Sequence, residues 1–213
     1  MKILTKLQEQ TLKILFGVEE IRRHFYLTGG TALSAFYLEH RYSDDLDLFT
    51  HDVEIDSIER VVVDAIKKYK LNIKSERSSP TFRRYLIDNE LQLDLVKDIE
   101  QRIGSPQLIS GIMVDSEKNI AVNKVGTIYG RLDAKDYVDL YFLLKTGKYD
   151  ILDLIKLGKQ KDGGLEEFQW ARVVADVESF NKLPRMIVDC NLDDIKTFFH
   201  ELRNKVIDSI KPK

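Results

Sequence analysis

Two aspartates, Asp45 and Asp47, stand one residue apart in "DLDLF" (45–49), and two glycines, Gly29 and Gly30, lie a helix's length upstream. Residues i and i+2 of a strand point to the same face, so the two carboxylates sit side by side while Leu46 and Leu48 turn the other way. Like charges this close repel unless a cation lies between them. Magnesium suits such a pair when substrate phosphates complete its shell. One ion would bridge carboxylate and phosphate; two, roughly 3.5–4 Å apart, would clamp an in-line phosphoryl displacement. The glycines supply a complementary feature. A strand that ends in Gly29-Gly30 and turns into a helix offers backbone N–H groups and a helix dipole to an anion, with no β-carbon to hinder approach. The hydroxyls of Thr28 and Thr31 flank that turn as further donors.

Each signal alone is common: a D-x-D triplet in an aspartate-rich chain, a Gly-Gly turn after a strand. Their order, with a helix between them, is more specific. Asp94 adds to it. In "ELQLDLV" (90–96) the apolar residues alternate, and Asp94 shares a face with Gln92. A strand neighbouring the Asp45 strand would complete an acidic triad, in which Asp94 accepts the proton of an attacking hydroxyl or ligates a second metal.

The elements that must position these groups follow from periodicity. Helical spacing covers 3–21, 31–39 and 54–69. Strands are predicted at 25–28, 45–49, 71–75, 81–87 and 90–96. Beyond about residue 116 the strand signal fades and helices are predicted at 119–130, 134–146, 150–158, 165–180 and 192–210, the last capped by Asn191 or Asp193. The predicted class is α+β: a core over 1–115 and a helical portion over 116–213. On the helix at 119–130, Lys124 shares a face with Ile128 and Arg131, and a lysine and an arginine together suit a triphosphate. Asp136 and Asp139 share a face of the next helix. Asp136, near its start, reads as a structural acid favourable to the dipole.

Composition sets limits. The formal net charge is −2, with 43% hydrophobic and 32% charged residues, as in ordinary soluble domains. Any nucleic-acid surface must be local. Residues 67–84 carry Lys67, Lys68, Lys70, Lys74, Arg77, Arg83 and Arg84 against one acid, Glu76; a solvated face is the plain alternative. Cys190 is the sole cysteine, so neither an internal disulfide nor a cysteine zinc site can form. No apolar run reaches about 18 residues, and the N-terminus does not resemble a signal peptide. A reduced, cytoplasmic setting without membrane contact is the expectation.

With these residues in view, "GGTALSAFYLEHRYSDDLDLF" resembles the signature of DNA polymerase β-like nucleotidyltransferases, and in detail that of the AbiEii/AbiGii toxin branch. "NKVGTIYGRLDAKDYVDLYFLLK" (123–145) resembles a second region of that branch, with Lys124, Arg131, Asp136, Asp139 and Lys145 at matching positions. The resemblance implies a polymerase β-like core, a mixed sheet with flanking helices, followed by a helical C-terminal portion that completes the nucleotide site. It implies Mg²⁺-dependent transfer of a nucleoside monophosphate from an NTP to an acceptor hydroxyl. In the toxin branch the acceptor can be RNA, notably a tRNA 3′ end, and the toxin has a separate antitoxin. Carried over, Gly29 and Gly30 would contact the triphosphate with Ser43 nearby, Asp45 and Asp47 would bind metal, Lys124 would hold nucleotide phosphates, and Asp139 would be a base or positioning residue. Two alternatives stand beside this: an acceptor that is an antibiotic-like small molecule or a protein, and a domain that binds nucleotide or partner without chemistry.

Overall fold

The computed structural model describes residues 3–98 and 101–211. The chain divides into two compact units, Met1–Ile99 with Ser105–Ser116, and Glu100–Gly104 with Glu117–Lys213.

The first unit is built on a seven-stranded mixed sheet. In chain order its strands are β1 (Tyr26–Thr28), β2 (Asp45–Thr50), β3 (Ile73–Ser79), β4 (Phe82–Ile87), β5 (Leu91–Lys97), β6 (Gln107–Ile109) and β7 (Ile112–Val114). Their spatial order is β3-β4-β5-β2-β1-β7-β6. The β2/β5 and β1/β7 pairs are parallel and the others antiparallel. The alternation in β2 works as its sequence requires. Leu46, Leu48 and Thr50 are buried, while Asp45, Asp47 and Phe49 stay half-exposed on the opposite face.

Helices α1 (Lys6–Phe16) and α4 (Ile55–Lys68) belong to this unit. In α4, Ile55, Ile58, Val62 and Ile66 are buried at i, i+3, i+4 spacing. Arg83, the residue of β4 that faces α4, ion-pairs with Asp56 and with Glu59 at 3.0 Å. Tyr85 Oη donates to Glu59 Oε1 at 3.1 Å. The predicted 3–21 helix is two helices, because α1 stops at Gly17 and α2 (Glu19–His24) starts afresh. The predicted 31–39 helix begins earlier, as α3 (Gly29–Leu33), and continues as a π-helical turn through Ser34–Leu38. The β6–β7 hairpin, turning at Ser110-Gly111, extends the sheet over a stretch for which no element was predicted.

The second unit is helical: α5 (Glu117–Gly130), α6 (Ala134–Lys145), α7 (Ile151–Lys161), α8 (Glu167–Val173) running into a 3₁₀ turn (Val174–Ser179), and α9 (Leu192–Ile210). Asn191 caps α9. Tyr137 meets Phe180 and Phe199 edge-on, each at 5.0 Å between ring centroids. Trp170 is fully buried and its indole N–H donates to the Val125 carbonyl at 3.1 Å. Among the described residues no helix is long and apolar enough to cross a membrane.

Candidate active site

Strand register assembles the acidic group. Asp47 is the Cα partner of Asp94 across the parallel β2/β5 pair, and Asp45 is the partner of Gln92. On the far side of β5, Arg84 is the partner of Asp94, and on the other side of β2, Thr28 is the partner of Asp47. One row thus crosses a sheet face as Arg84, Asp94, Asp47, Thr28, with Asp45 two residues further along β2.

The glycine turn is shaped by this row. Gly29 has φ +72°, a left-handed conformation that disfavours side chains. A β-carbon there would overlap Asp47 Oδ2, and one on Gly30 would overlap the Arg41 guanidinium and lie 3.1 Å from Ser43 Oγ. The space freed by the missing side chains therefore admits Asp47 and Arg41. This revises the simple expectation that it is kept open for phosphate. Arg41 is fully buried and donates from Nη1 to the Tyr42 carbonyl at 2.9 Å. Sequence reasoning gave it no role; a basic residue in a polar run carries no sign that it will be inside.

The hydroxyls also have fixed partners. Thr28 Oγ1 donates to Asp115 Oδ2 at 2.7 Å, and Thr31 Oγ1 to the Asp45 carbonyl at 2.5 Å. Both threonines are buried. A hydroxyl has one proton to donate, so in this conformation neither serves a phosphate as the sequence suggested; they fasten the turn to β2 and to the residue following β7. Ser43 Oγ lies 3.2 Å from Asp45 Oδ1, and the Ser43 carbonyl accepts from Gln8 Nε2 at 2.8 Å. The first turn of α1 thereby braces the loop that leads into the two aspartates.

Asp94 differs from its neighbours. Arg84 donates to both of its oxygens, Nε to Oδ1 at 2.8 Å and Nη2 to Oδ2 at 2.6 Å, and Gln92 Nε2 reaches Oδ2 at 3.2 Å. The hydrogen bond to Asp94, opposed by partial burial and reinforced by the charges of Asp94, Asp47 and Asp45, holds Arg84 above its ordinary pKa. The expected open base or metal ligand is instead a carboxylate gripped on both oxygens. Arg84 was legible only as part of the basic run at 67–84. Successive strand residues alternate faces, which splits that run: Arg83 turns to α4, Arg84 to the acids, and Lys67, Lys68, Lys70, Lys74 and Arg77 are exposed.

In the second unit, Lys124 Nζ lies 2.6 Å from Asp136 Oδ1 and 2.7 Å from Asp139 Oδ2, all three being buried. Arg131 Nε reaches Asp136 Oδ2 at 2.8 Å from a side chain that is 60% exposed. Burial alone would lower the Lys124 pKa; the charges of Asp139 and Asp136 outweigh it and hold the ammonium above its usual range. Burial would raise Asp136, and Lys124 with Arg131 pulls it below the usual carboxylate range. The sequence expectation gave Lys124 and Arg131 to phosphates and made Asp139 a base or positioning residue. Here Lys124, on α5, joins Asp136 and Asp139 of α6, and Arg131 reaches Asp136 from just beyond the end of α5.

Two carboxylates on one half-exposed face fit a magnesium ion that takes its other ligands from substrate oxygens and water. Among the described residues no group of three or more His, Cys, Asp or Glu side chains converges as a ready metal cage.

The sequence matches the family described as nucleotidyl transferase AbiEii toxin, type IV toxin–antitoxin system, over residues 13–185. The chain belongs to the AbiEii nucleotidyltransferase toxin family. An uncharacterized protein of Aquifex aeolicus (strain VF5) is 31% identical over 170 residues, covering 76% of this chain and 77% of its own. In fold, this AbiEii chain is similar to JHP933 from Helicobacter pylori (TM-score 0.62, 20% identity, 96% of this chain and 90% of that one). It is also similar to MenT4, a nucleotidyltransferase toxin of Mycobacterium tuberculosis (TM-score 0.53, 13% identity, 94% and 82%). The α+β nucleotidyltransferase fold expected of an AbiEii member is thus present.

Proposed function

We propose that this AbiEii chain moves a nucleoside monophosphate from an NTP to a hydroxyl of an RNA acceptor, a tRNA end being the favoured form, with Asp45 and Asp47 holding Mg²⁺. The observation that carries the reading is the placement of two half-exposed carboxylates on one strand face beside the Gly29-Gly30 turn. The bound ion would neutralise charge on the triphosphate and polarise the reacting phosphoryl group. In the transfer, the acceptor oxygen bonds to the α-phosphorus, the bond from that phosphorus to the β-phosphate bridging oxygen breaks, pyrophosphate departs and the hydroxyl proton is lost. Thr31 and Ser43 hold Asp45 through its carbonyl and its Oδ1, and such pre-organisation is where much catalytic stabilisation arises.

The exposed bases Lys67, Lys68, Lys70, Lys74 and Arg77, at the end of α4 and on edge strand β3, favour RNA over a neutral small molecule. A cognate antitoxin and a cytoplasmic setting complete the proposal. The test incubates the protein with each α-labelled NTP and total RNA. Label should enter RNA, and Asp47→Ala should abolish it. Label in protein or in a small molecule would move the acceptor; undiminished transfer by the variant would remove Asp47 from the metal site.

A further inference from the structure

We propose that Arg84 is a built-in counter-cation that keeps Asp94 out of the metal-ligand set, so that the acidic row binds a single divalent ion through Asp45 and Asp47. The inference rests on the reading that these two aspartates hold the metal.

Four observations converge on it. Asp94 and Asp47 are in direct register on neighbouring parallel strands, where strands lie about 4.8 Å apart. Three carboxylates therefore share one small area, and Asp94 would be the natural third ligand. Yet both of its oxygens are taken by the Arg84 fork, and Gln92 adds a third donor. The guanidinium is itself seated: its central carbon lies 5.5 Å from the centroid of the Phe82 ring, on the same face of β4. Finally, only 26% of the Arg84 side chain is exposed and 7% of the Asp94 side chain, so water does not screen the pair as it would a surface bridge.

Charge explains the arrangement. The Arg84 guanidinium offsets the charge of Asp94 within the row, which leaves Asp45 and Asp47 as the carboxylates offered to a divalent cation. Arginine does not deprotonate in this setting, so its positive charge is permanent. To recruit Asp94, a second ion would have to break two charge-assisted hydrogen bonds of good geometry and expel a cation stacked on a ring. Lysine could supply the charge without the planar fork that covers both oxygens at once.

The test is a Mn²⁺ titration of the full-length protein without nucleotide, following free Mn²⁺ by electron paramagnetic resonance. Arg84→Gln and Arg84→Met remove the charge and free Asp94; circular dichroism identifies whichever of them folds. Either variant should bind one more Mn²⁺ per chain than wild type, or bind its first ion at least tenfold more tightly. Adding Asp94→Asn to that variant should return binding to the wild-type level. If the Arg84 variants show no gain, or if wild type already binds two ions and Asp94→Asn removes one, Arg84 is not the excluding residue. Failure of the underlying reading has a separate signature: Mn²⁺ bound by wild type would persist undiminished in the Asp45→Asn/Asp47→Asn double variant.

Discussion

Asp47 keeps its Oδ2 in the volume that a β-carbon on Gly29 would fill. The glycine and the aspartate are one feature, because the left-handed backbone at Gly29 and the close carboxylate each require the missing side chain. Gly29→Ala meets both obstacles. A residue forced into a sparsely populated backbone region costs roughly 1–3 kcal/mol, and Asp47 must also retreat. Urea denaturation should show a loss of that size, and nucleotide transfer should fall further than the unfolded fraction explains. Wild-type transfer by folded Gly29→Ala would mean that the position of Asp47 is not what the glycine protects.

Asp47→Asn separates stability from function. In the metal-free protein Asp47 lies opposite Asp94 and two residues from Asp45, like charges worth a few tenths to about 1 kcal/mol of repulsion, and its attraction to the neighbouring Arg84 works against that repulsion. The variant should therefore unfold close to the wild-type temperature without metal. Added Mg²⁺ should raise the wild-type midpoint by mass action and leave the variant's unchanged. Transfer should fall on the order of 10³-fold or more, since a catalytic metal supplies several kcal/mol and about 1.4 kcal/mol is a factor of ten.

The contrast between Asp47 and Arg84 shows what the sequence could disclose. Asp45 and Asp47 were legible because strand periodicity places i and i+2 together whatever the rest of the fold does. Arg84 was not, because an arginine among lysines reads as a solvated face. A signal existed: the β4–β5 hairpin turns through Asp88 and Asn89, both left-handed, with Ile87 opposite Leu91. Counting outward from that pair sets residue 84 opposite residue 94. The β6 and β7 strands, three residues each, are too short to display a period. The π-helical turn over Ser34–Leu38 leaves no trace in residue spacing.

Lys124 anchors two buried carboxylates, so Lys124→Met should be among the most damaging substitutions in the helical unit. Removing one member of a buried ion pair costs about 3–5 kcal/mol, and here Asp136 and Asp139 would face each other without the ammonium. Arg131→Ala, which removes a mostly exposed partner, should cost no more than about 1 kcal/mol. Trp170 is the chain's single tryptophan and is fully buried in this unit, so its fluorescence under urea reports both variants. Similar midpoints for the two would deny Lys124 its central place.

The same cluster sets how the helical unit responds to pH. Burial opposes the charge on Asp136, but Lys124 and Arg131 prevail and hold its pKa below the ordinary value of 3.8. The stability it contributes is fully present above that unfolded value and is lost as pH falls through the lower folded one. Lys124 runs the other way. Its folded pKa lies above the ordinary 10.5, so its contribution is complete below 10.5 and is lost only as pH rises through the folded value. Urea midpoints from Trp170 fluorescence should accordingly stay level across neutral pH as far as this cluster is concerned, and decline on strong acidification. Asp136→Asn should lower the neutral plateau and flatten the acid limb, because the group that must take up the proton is gone. An acid limb as steep in Asp136→Asn as in wild type would assign the acid sensitivity to other carboxylates.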